Sequence, residues 1–320
     1  MSDTAQSSLR GALTALLAFA IYAVHDAVIK TLGETYSAFQ IVFFSVLFGF
    51  PLITIMLIRD RTDGNLRPRR PMWTALRTVF ATIATLSVFY AFSALPLTQT
   101  YAILFAMPLI ITLAAIPILG ERVGWRRGLA IVIGLAGVLV VLQPGATQLN
   151  LGHAAALSAA VFSSLASVIV RKIGHEERSA VLLLYPMLAN FVIMGAILPF
   201  VYVPVAPADM GGLAALAALA FAAILIQIRA YRTARAAIVA PMQYSQIIWA
   251  ALFGALFFDE YPDIYTAIGA VIIIASGIYI VLREDGSSST QTPVLRTQSR
   301  YGAGTLARIS LLQGFWRKAG

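Results

Sequence analysis

Apolar runs long enough to cross a hydrocarbon layer of about 30 Å, which takes about 20 helical residues, occur ten times along the chain. They fall near 11–29, 38–58, 73–94, 98–119, 125–142, 152–170, 180–200, 211–228, 236–258 and 263–282. Polar residues collect in the gaps. Two gaps, 95–97 and 120–124, are short enough to make the third, fourth and fifth segments tight neighbours. The first segment contains Ala18-Phe19-Ala20, which would suit a signal-cleavage site, but its apolar run continues through Ile29. It is therefore read as the first membrane helix, and the fold class as an all-α integral membrane protein.

Composition agrees with the pattern. Of 320 residues, 59% are hydrophobic and 12% charged, against roughly a quarter charged in soluble domains. The net charge of +9 would suit a nucleic-acid binder, but the basic residues punctuate apolar runs instead of forming a folded basic surface, so nucleic acid is excluded as a partner. With no cysteine and three histidines, the chain offers neither a disulfide framework nor a dedicated transition-metal path, and no metal or cofactor is expected.

The basic residues instead give topology, because Lys and Arg gather on the cytoplasmic side of inner-membrane proteins. One set of helix ends carries Arg10; Arg59, Arg61, Arg67, Arg69 and Arg70; Arg122, Arg126 and Arg127; Arg171, Lys172 and Arg178; Arg229, Arg232 and Arg235; and Arg283 onward. The opposite ends carry Lys30. Both termini are thus expected in the cytoplasm, in a cell inner membrane, with the acidic turn DEYPD at 259–263 outside.

The chain also repeats itself. A shift of 141 residues lays GALTALLAFAIYAVHDAVIKTLG, from Gly11, over GHAAALSAAVFSSLASVIVRKIG, from Gly152, and matches Lys30 with Arg171. A shift of 139 lays ILGERVGWRRGLAIVIGLAGVLVVL over FFDEYPDIYTAIGAVIIIASGIYIV, matching Glu121 with Glu260, Ala130 with Gly269 and Gly137 with Ser276. Each half holds five segments. Because five is odd, the second half enters the membrane from the other side, and the halves are related by a pseudo-two-fold axis in the membrane plane, as alternating access requires. The repeats are expected at 9–142 and 150–283, followed by a cytoplasmic, disordered tail at 284–320 ending in LARISLLQGFWRKAG.

The stretch FYAFSALPLTQTYAILFAMPLIITLAAIPILGERVGWRRGLAIVIGLAGVLVV at 89–141 joins an aromatic-Ala segment, a helix with a central proline, Gly120-Glu121 and a helix rich in small residues. In this order it resembles the drug/metabolite transporter superfamily, in the ten-helix branch built from two EamA-type repeats. The second half departs from the pattern at Asp259-Glu260 and at Ile247, which replaces the central proline. Within the superfamily, YAVHDAVIKTLG, FQIVFFSVLFGFPL and the loop RDRTDGNLRPRRP resemble a proteobacterial branch to which riboflavin import has been assigned. The resemblance implies a secondary transporter with its cavity between the halves.

Candidate residues are polar groups that lipid would not tolerate. Tyr22, His25 and Asp26 share one helical face, and an ionised aspartate at a helix centre costs about 2.5–3.5 kcal/mol, so the three are expected to line a wet cavity. The bland alternative pairs Asp26 with Lys30 one turn later. His25 would bind substrate, or the pair would carry a coupling proton. Arg77 offers an anchor for an anionic or carbonyl-rich group, or else snorkels to the headgroups. Thr78, Thr82 and Thr85 form a hydroxyl stripe, read as helix packing, followed by Tyr90. Gln243, Gln246 and Trp249 suit a planar, hydrogen-bonding molecule, and Tyr101 with Gln99, Ser164 with Ser163, and Gln227 would complete the lining. Pro108 would bend the fourth helix as a hinge. Glu121 and Glu260 lie at opposite membrane faces and are assigned to the N-termini of the fifth and tenth helices.

No phosphate-cradling loop and no serine partner for His25 are found, so the chain is not expected to be an enzyme. The resulting expectation is a transporter of a small organic metabolite, riboflavin uptake leading. The rivals are an exporter of amino acids or other metabolites and a passive channel. Its partners are the substrate and the lipid bilayer, with a homodimer left open.

Overall fold

The computed structural model describes residues 3–58, 66–121, 123–144, 148–234 and 236–285. Arg59, Arg61, Arg122 and Arg235 of the charge tally lie outside these, as does the expected tail from 286 on.

All ten apolar segments are helical. They are α1 (Asp3–Gly33), α2 (Ala38–Ile58), α3 (Pro71–Ala94), the pair α4 (Leu97–Leu104) and α5 (Met107–Leu119), α6 (Trp125–Leu142), α7 (Leu151–Ile173), α8 (Ser179–Val201) and α9 (Pro207–Thr233). The ninth segment is composite: α10 (Ala236–Val239) runs through a 3-10 turn (Ala240–Ser245) into α11 (Gln246–Phe257), and α12 (Ile264–Asp285) follows. Eight of the segments are long and apolar enough to span a membrane over their described length, with α4 and α5 counted as one span. Local chemistry sets several boundaries. Pro71 and Pro207 open their helices, where no N–H is needed. Asn150 and His153 form a reciprocal cap on α7, and Gly120 ends α5 at φ 72°, a left-handed turn suited to glycine.

The two five-helix halves pack as an inverted pair. α1 lies against α9 and α3 against α7, while α2 pairs with α8 and α6 with α12. Exchanging the halves turns the first contact into the second and maps each of the others onto itself. The same exchange holds for single residues. Gly11 meets Ala234, and a Cβ built on it would fall 2.2 Å from the alanine Cβ. Its counterpart Gly152 meets Leu95, the counterpart of Ala234, at 2.8 Å.

Along α6 and α12, Gly137 approaches Gly269, and Ser276 donates its hydroxyl to the Ala130 carbonyl at 2.5 Å. These two contacts are again exchanged by the shift of 139. Small residues bring the backbones together, which is how membrane helices gain dispersion energy without a hydrophobic drive. A Cβ on Gly269 would stand 2.6 Å from the Gly137 carbonyl oxygen and 2.5 Å from Val141. Gly269→Leu is therefore expected to cost about 1–3 kcal/mol by overpacking, measured as a lower Tm in detergent. Gly128→Ala, where a Cβ meets nothing within 4 Å, should leave Tm unchanged or slightly higher, since alanine is the better helix former.

Both composite segments break at corresponding points. α4 gives way to α5 through Phe105 and Ala106, which the shift of 139 places on Tyr244 and Ser245, the end of the 3-10 turn. Pro108 lies in the first turn of α5, and Pro241 in the first turn of the 3-10 segment. The expected disruption at Pro108 takes the form of a break just before it. A proline cannot donate to the carbonyl four residues earlier, so the helix is interrupted before Pro108 and restarts with it.

Candidate functional site

α1 carries the first part of the site. Tyr22, His25, Asp26 and Ile29 lie on one helical face, and all four are at most 1% exposed. The bundle uses this face to join both halves. His25 Nδ1 lies 2.9 Å from Asp26 Oδ1, and its ring meets Phe89 of α3 edge-on at 6.1 Å. Tyr101 of α4 donates its hydroxyl to Asp26 Oδ2. Tyr22 donates to Gln227 Oε1 of α9 at 3.4 Å. From Tyr101 an aromatic row leads to the helix breaks: Phe105 lies 6.0 Å beyond it, and Phe105 meets Tyr244 edge-on at 5.0 Å.

The 3-10 turn supplies the second part. At its end, Tyr244 Oη, Ser245 Oγ and Gln246 Nε2 are buried, with no hydrogen-bond partner among the described residues; Thr82 Oγ1 of α3 is in the same condition. Leaving a buried polar group unpaired costs about 1–3 kcal/mol, so such groups point to a ligand or water that completes them. Ser164, buried in mid-α7, donates to the Ala160 carbonyl of its own helix at 2.6 Å and lies 3.2 Å from the Met107 carbonyl, beside the other break.

Other predicted residues stand differently. Arg77 does not snorkel. It is 0% exposed and donates to the Leu182 carbonyl of α8, next to a packed apolar cluster of Ala81, Ala166, Ile169 and Leu182. Gln243 and Trp249 are half-buried, and Trp249 stacks on Phe253 at 6.1 Å. Tyr90 alone of the proposed residues is exposed, at 38%. Gln99 is engaged by His153 at 3.2 Å. Thr78 and Thr85 bond back to carbonyls of their own helix, each at 2.8 Å, in line with packing.

The conspicuous correction concerns the glutamates. Lys30 Nζ reaches Glu260 Oε1 at 2.7 Å and the Leu95 carbonyl at 2.8 Å, in place of Asp26 one turn away. Glu121 Oε1 binds Arg171 Nη2 at 2.6 Å. Both carboxylates thus serve as partners of cations from the opposite half. Glu260 also accepts from the Leu97 amide at 3.1 Å, so the helix start it stabilises is that of α4.

Beyond the core, Arg70 Nε binds Glu176 Oε2 at 2.6 Å, and this hydrogen bond holds the Glu176 carboxyl below its usual range.

Ten apolar segments in inverted halves, with helix breaks at corresponding points and unpaired polar groups at the second of them, are the architecture of a membrane transporter. Comparison with known proteins narrows the class: the EamA-like transporter family model matches residues 9–143 and again 150–283, and the chain belongs to that family. It is 24% identical over 291 residues to the S-adenosylmethionine uptake transporter of Rickettsia prowazekii (strain Madrid E), covering 91% of this chain and 99% of that one. Against the pseudopaline exporter CntI of Pseudomonas aeruginosa (strain UCBPP-PA14) identity is 27% over 278 residues, covering 86% and 97%. A solved crystal structure superposes with a TM-score of 0.56 at 18% identity, over 90% of this chain and all of that one, which speaks to the fold alone. Riboflavin is not among the substrates these relatives name.

Proposed function

We propose that the protein carries a small organic cation or zwitterion bearing a ring into the cell by alternating access, with S-adenosylmethionine the first compound to test. One observation carries this reading: the Asp26 carboxylate is wholly buried between α1 and α4, held by Tyr101 and flanked by His25 at 2.9 Å, beside the interrupted fourth segment. A carboxylate removed from water favours a positively charged partner. S-adenosylmethionine brings a sulfonium and an ammonium group for the carboxylate. Its adenine suits the ring faces of Phe89, Tyr101 and Phe105 and the unpaired amide of Gln246. Riboflavin would use the aromatic and amide groups but gives Asp26 no cation. The basic helix ends support a reading with both termini in the cytoplasm of an inner-membrane protein, in which the C-terminal end of α1 faces outward.

Purified protein in liposomes should take up labelled S-adenosylmethionine saturably, and faster when the vesicles are preloaded with unlabelled compound. Flux that neither saturates nor responds to preloading would mean a channel. Preloading-stimulated uptake of riboflavin, with S-adenosylmethionine inert, would overturn the substrate and keep the mechanism.

A further inference from the structure

The two inter-half ion pairs are each other's image. The shift of 141 turns Lys30 into Arg171, and the shift of 139 turns Glu121 into Glu260. Exchanging the halves therefore converts the bridge Lys30–Glu260 (2.7 Å) into the bridge Arg171–Glu121 (2.6 Å). Each bridge ties the C-terminal end of a half's first helix, α1 or α7, to the connection after the other half's fourth segment. Since α1 and α7 cross in opposite directions, the bridges sit at opposite membrane faces. They bracket the site, with Asp26 one turn inward from Lys30 and Ser164 two turns inward from Arg171.

We propose that these pairs are the two latches of the transport cycle, Lys30–Glu260 closing the outer face and Arg171–Glu121 the inner. The inference rests on the alternating-access reading above. The outer latch is more than one bridge. Lys30 also holds the Leu95 carbonyl, Glu260 also holds the Leu97 amide, and the Lys30 ammonium lies 5.4 Å from the Phe258 ring centre. One carboxylate and one ammonium thus join α1, the α3–α4 connection and the α11–α12 connection at one point. An open depression of about 570 Å³ is lined by Lys30, Glu34, Phe258, Asp259 and Glu260, so both partners of this bridge form part of its wall. On the inner face the Arg171 side chain is 1% exposed and that of Glu121 23%, and the neighbouring Lys172 holds the Ile118 carbonyl at 2.7 Å, tying α7 to the end of α5.

Both latches are closed in this structure, which makes it an occluded arrangement. Opening one face separates α1 from the α11–α12 connection, and opening the other separates α7 from the α5–α6 connection. Partial exposure of Lys30, Glu260 and Glu121 suits that use, because these groups reach water as the pairs part, whereas Arg171 is the buried member of the inner latch. Two matched latches hold the face away from the substrate shut while the other opens.

The absence of native cysteine permits a direct test. Ser164→Cys supplies a single thiol at mid-depth, labelled with a membrane-impermeant maleimide on intact cells for the outer face and on inverted vesicles for the inner. Glu260→Gln, which keeps an acceptor for the Leu97 amide, should raise outer-face labelling by about tenfold and not raise inner-face labelling. Glu121→Gln should do the reverse. Lys30→Gln and Arg171→Gln, which break the same bridges from the cationic side, should give the same face-selective patterns, and the swap Lys30→Glu with Glu260→Lys should return outer-face labelling only part of the way to the wild-type rate, because the swapped pair loses the Leu95 and Leu97 contacts. Unchanged labelling in all four single variants, or a rise at both faces together, overturns the latches. A Ser164→Cys thiol with both bridges intact that is labelled rapidly from both faces, whatever substrate is added, overturns alternating access itself and the latches with it.

Discussion

Replacing Asp26 with asparagine is expected to cut substrate uptake by about ten- to hundredfold while leaving the protein folded in the membrane, the value of about 1.5–3 kcal/mol for a hydrogen bond to a charged group. The two parts of this result have separate causes. Asparagine matches the carboxylate in size and keeps an oxygen for the Tyr101 hydroxyl, so the joint between α1 and α4 survives. It also removes a buried charge, so Tm in detergent should hold or rise. What disappears is the negative charge offered to a cationic substrate. Asp26→Ala is the contrasting variant: it strips the acceptor from Tyr101 and should lower Tm as well. The measurement is uptake of labelled S-adenosylmethionine below saturation, beside exchange between labelled and unlabelled pools. A substrate-binding Asp26 loses uptake and exchange together in the asparagine variant. A carboxylate that carries the coupling proton loses gradient-driven accumulation and keeps exchange, so that pattern would reassign its role. Uptake equal to wild type would remove Asp26 from the site.

What the sequence disclosed and what it withheld follow from range. Apolar length is a local property, and it placed α2 and α6 at their observed bounds, 38–58 and 125–142. The helix breaks were harder to see because a 3-10 turn and an α-helix are equally apolar. The signal in APMQYS was Pro241, which removes one N–H and opens the 3-10 turn. Reading those residues as the start of one continuous helix put Gln243, Gln246 and Trp249 on a stripe, and passed over Tyr244 and Ser245, whose oxygens lie buried at the break. The latches were half visible. The repeat matched Lys30 with Arg171 and Glu121 with Glu260, but pairing across halves depends on which helix ends meet, a tertiary fact that spacing does not carry. A local partner for Lys30 was available in Asp26 at i−4, and the tertiary partner Glu260 took it instead. For Arg77 the helix position near one end suggested an escape to the headgroups, whereas contact with α8 keeps it inside.

Arg77→Ala is expected to be the most destabilising substitution in the transmembrane core. The side chain is the largest among the fully buried ones, and its guanidinium bonds the Leu182 carbonyl in the first turn of α8. Truncation leaves a cavity between α3 and α8 and strips that carbonyl of a charged donor. By analogy with large-to-small core changes the loss is about 3–5 kcal/mol, measured as a fall in Tm in detergent and in membrane abundance. Arg77→Met separates packing from charge, since methionine fills most of the volume and needs no partner. If Arg77 braces α3 against α8, the methionine variant regains most of the Tm and transports. If its fork also anchors a carboxylate or carbonyl of the substrate, the methionine variant is stable and fails to transport, and Arg77→Lys, which keeps the charge and loses the planar fork, recovers only part of the activity. The Leu182 contact favours the brace, because a guanidinium committed to a helix carbonyl deep among Ala81, Ile169 and Leu182 is held by the fold itself. Transport by Arg77→Met at close to the wild-type rate is therefore the expected outcome, and a stable, inactive Arg77→Met would move Arg77 into the binding site beside Asp26.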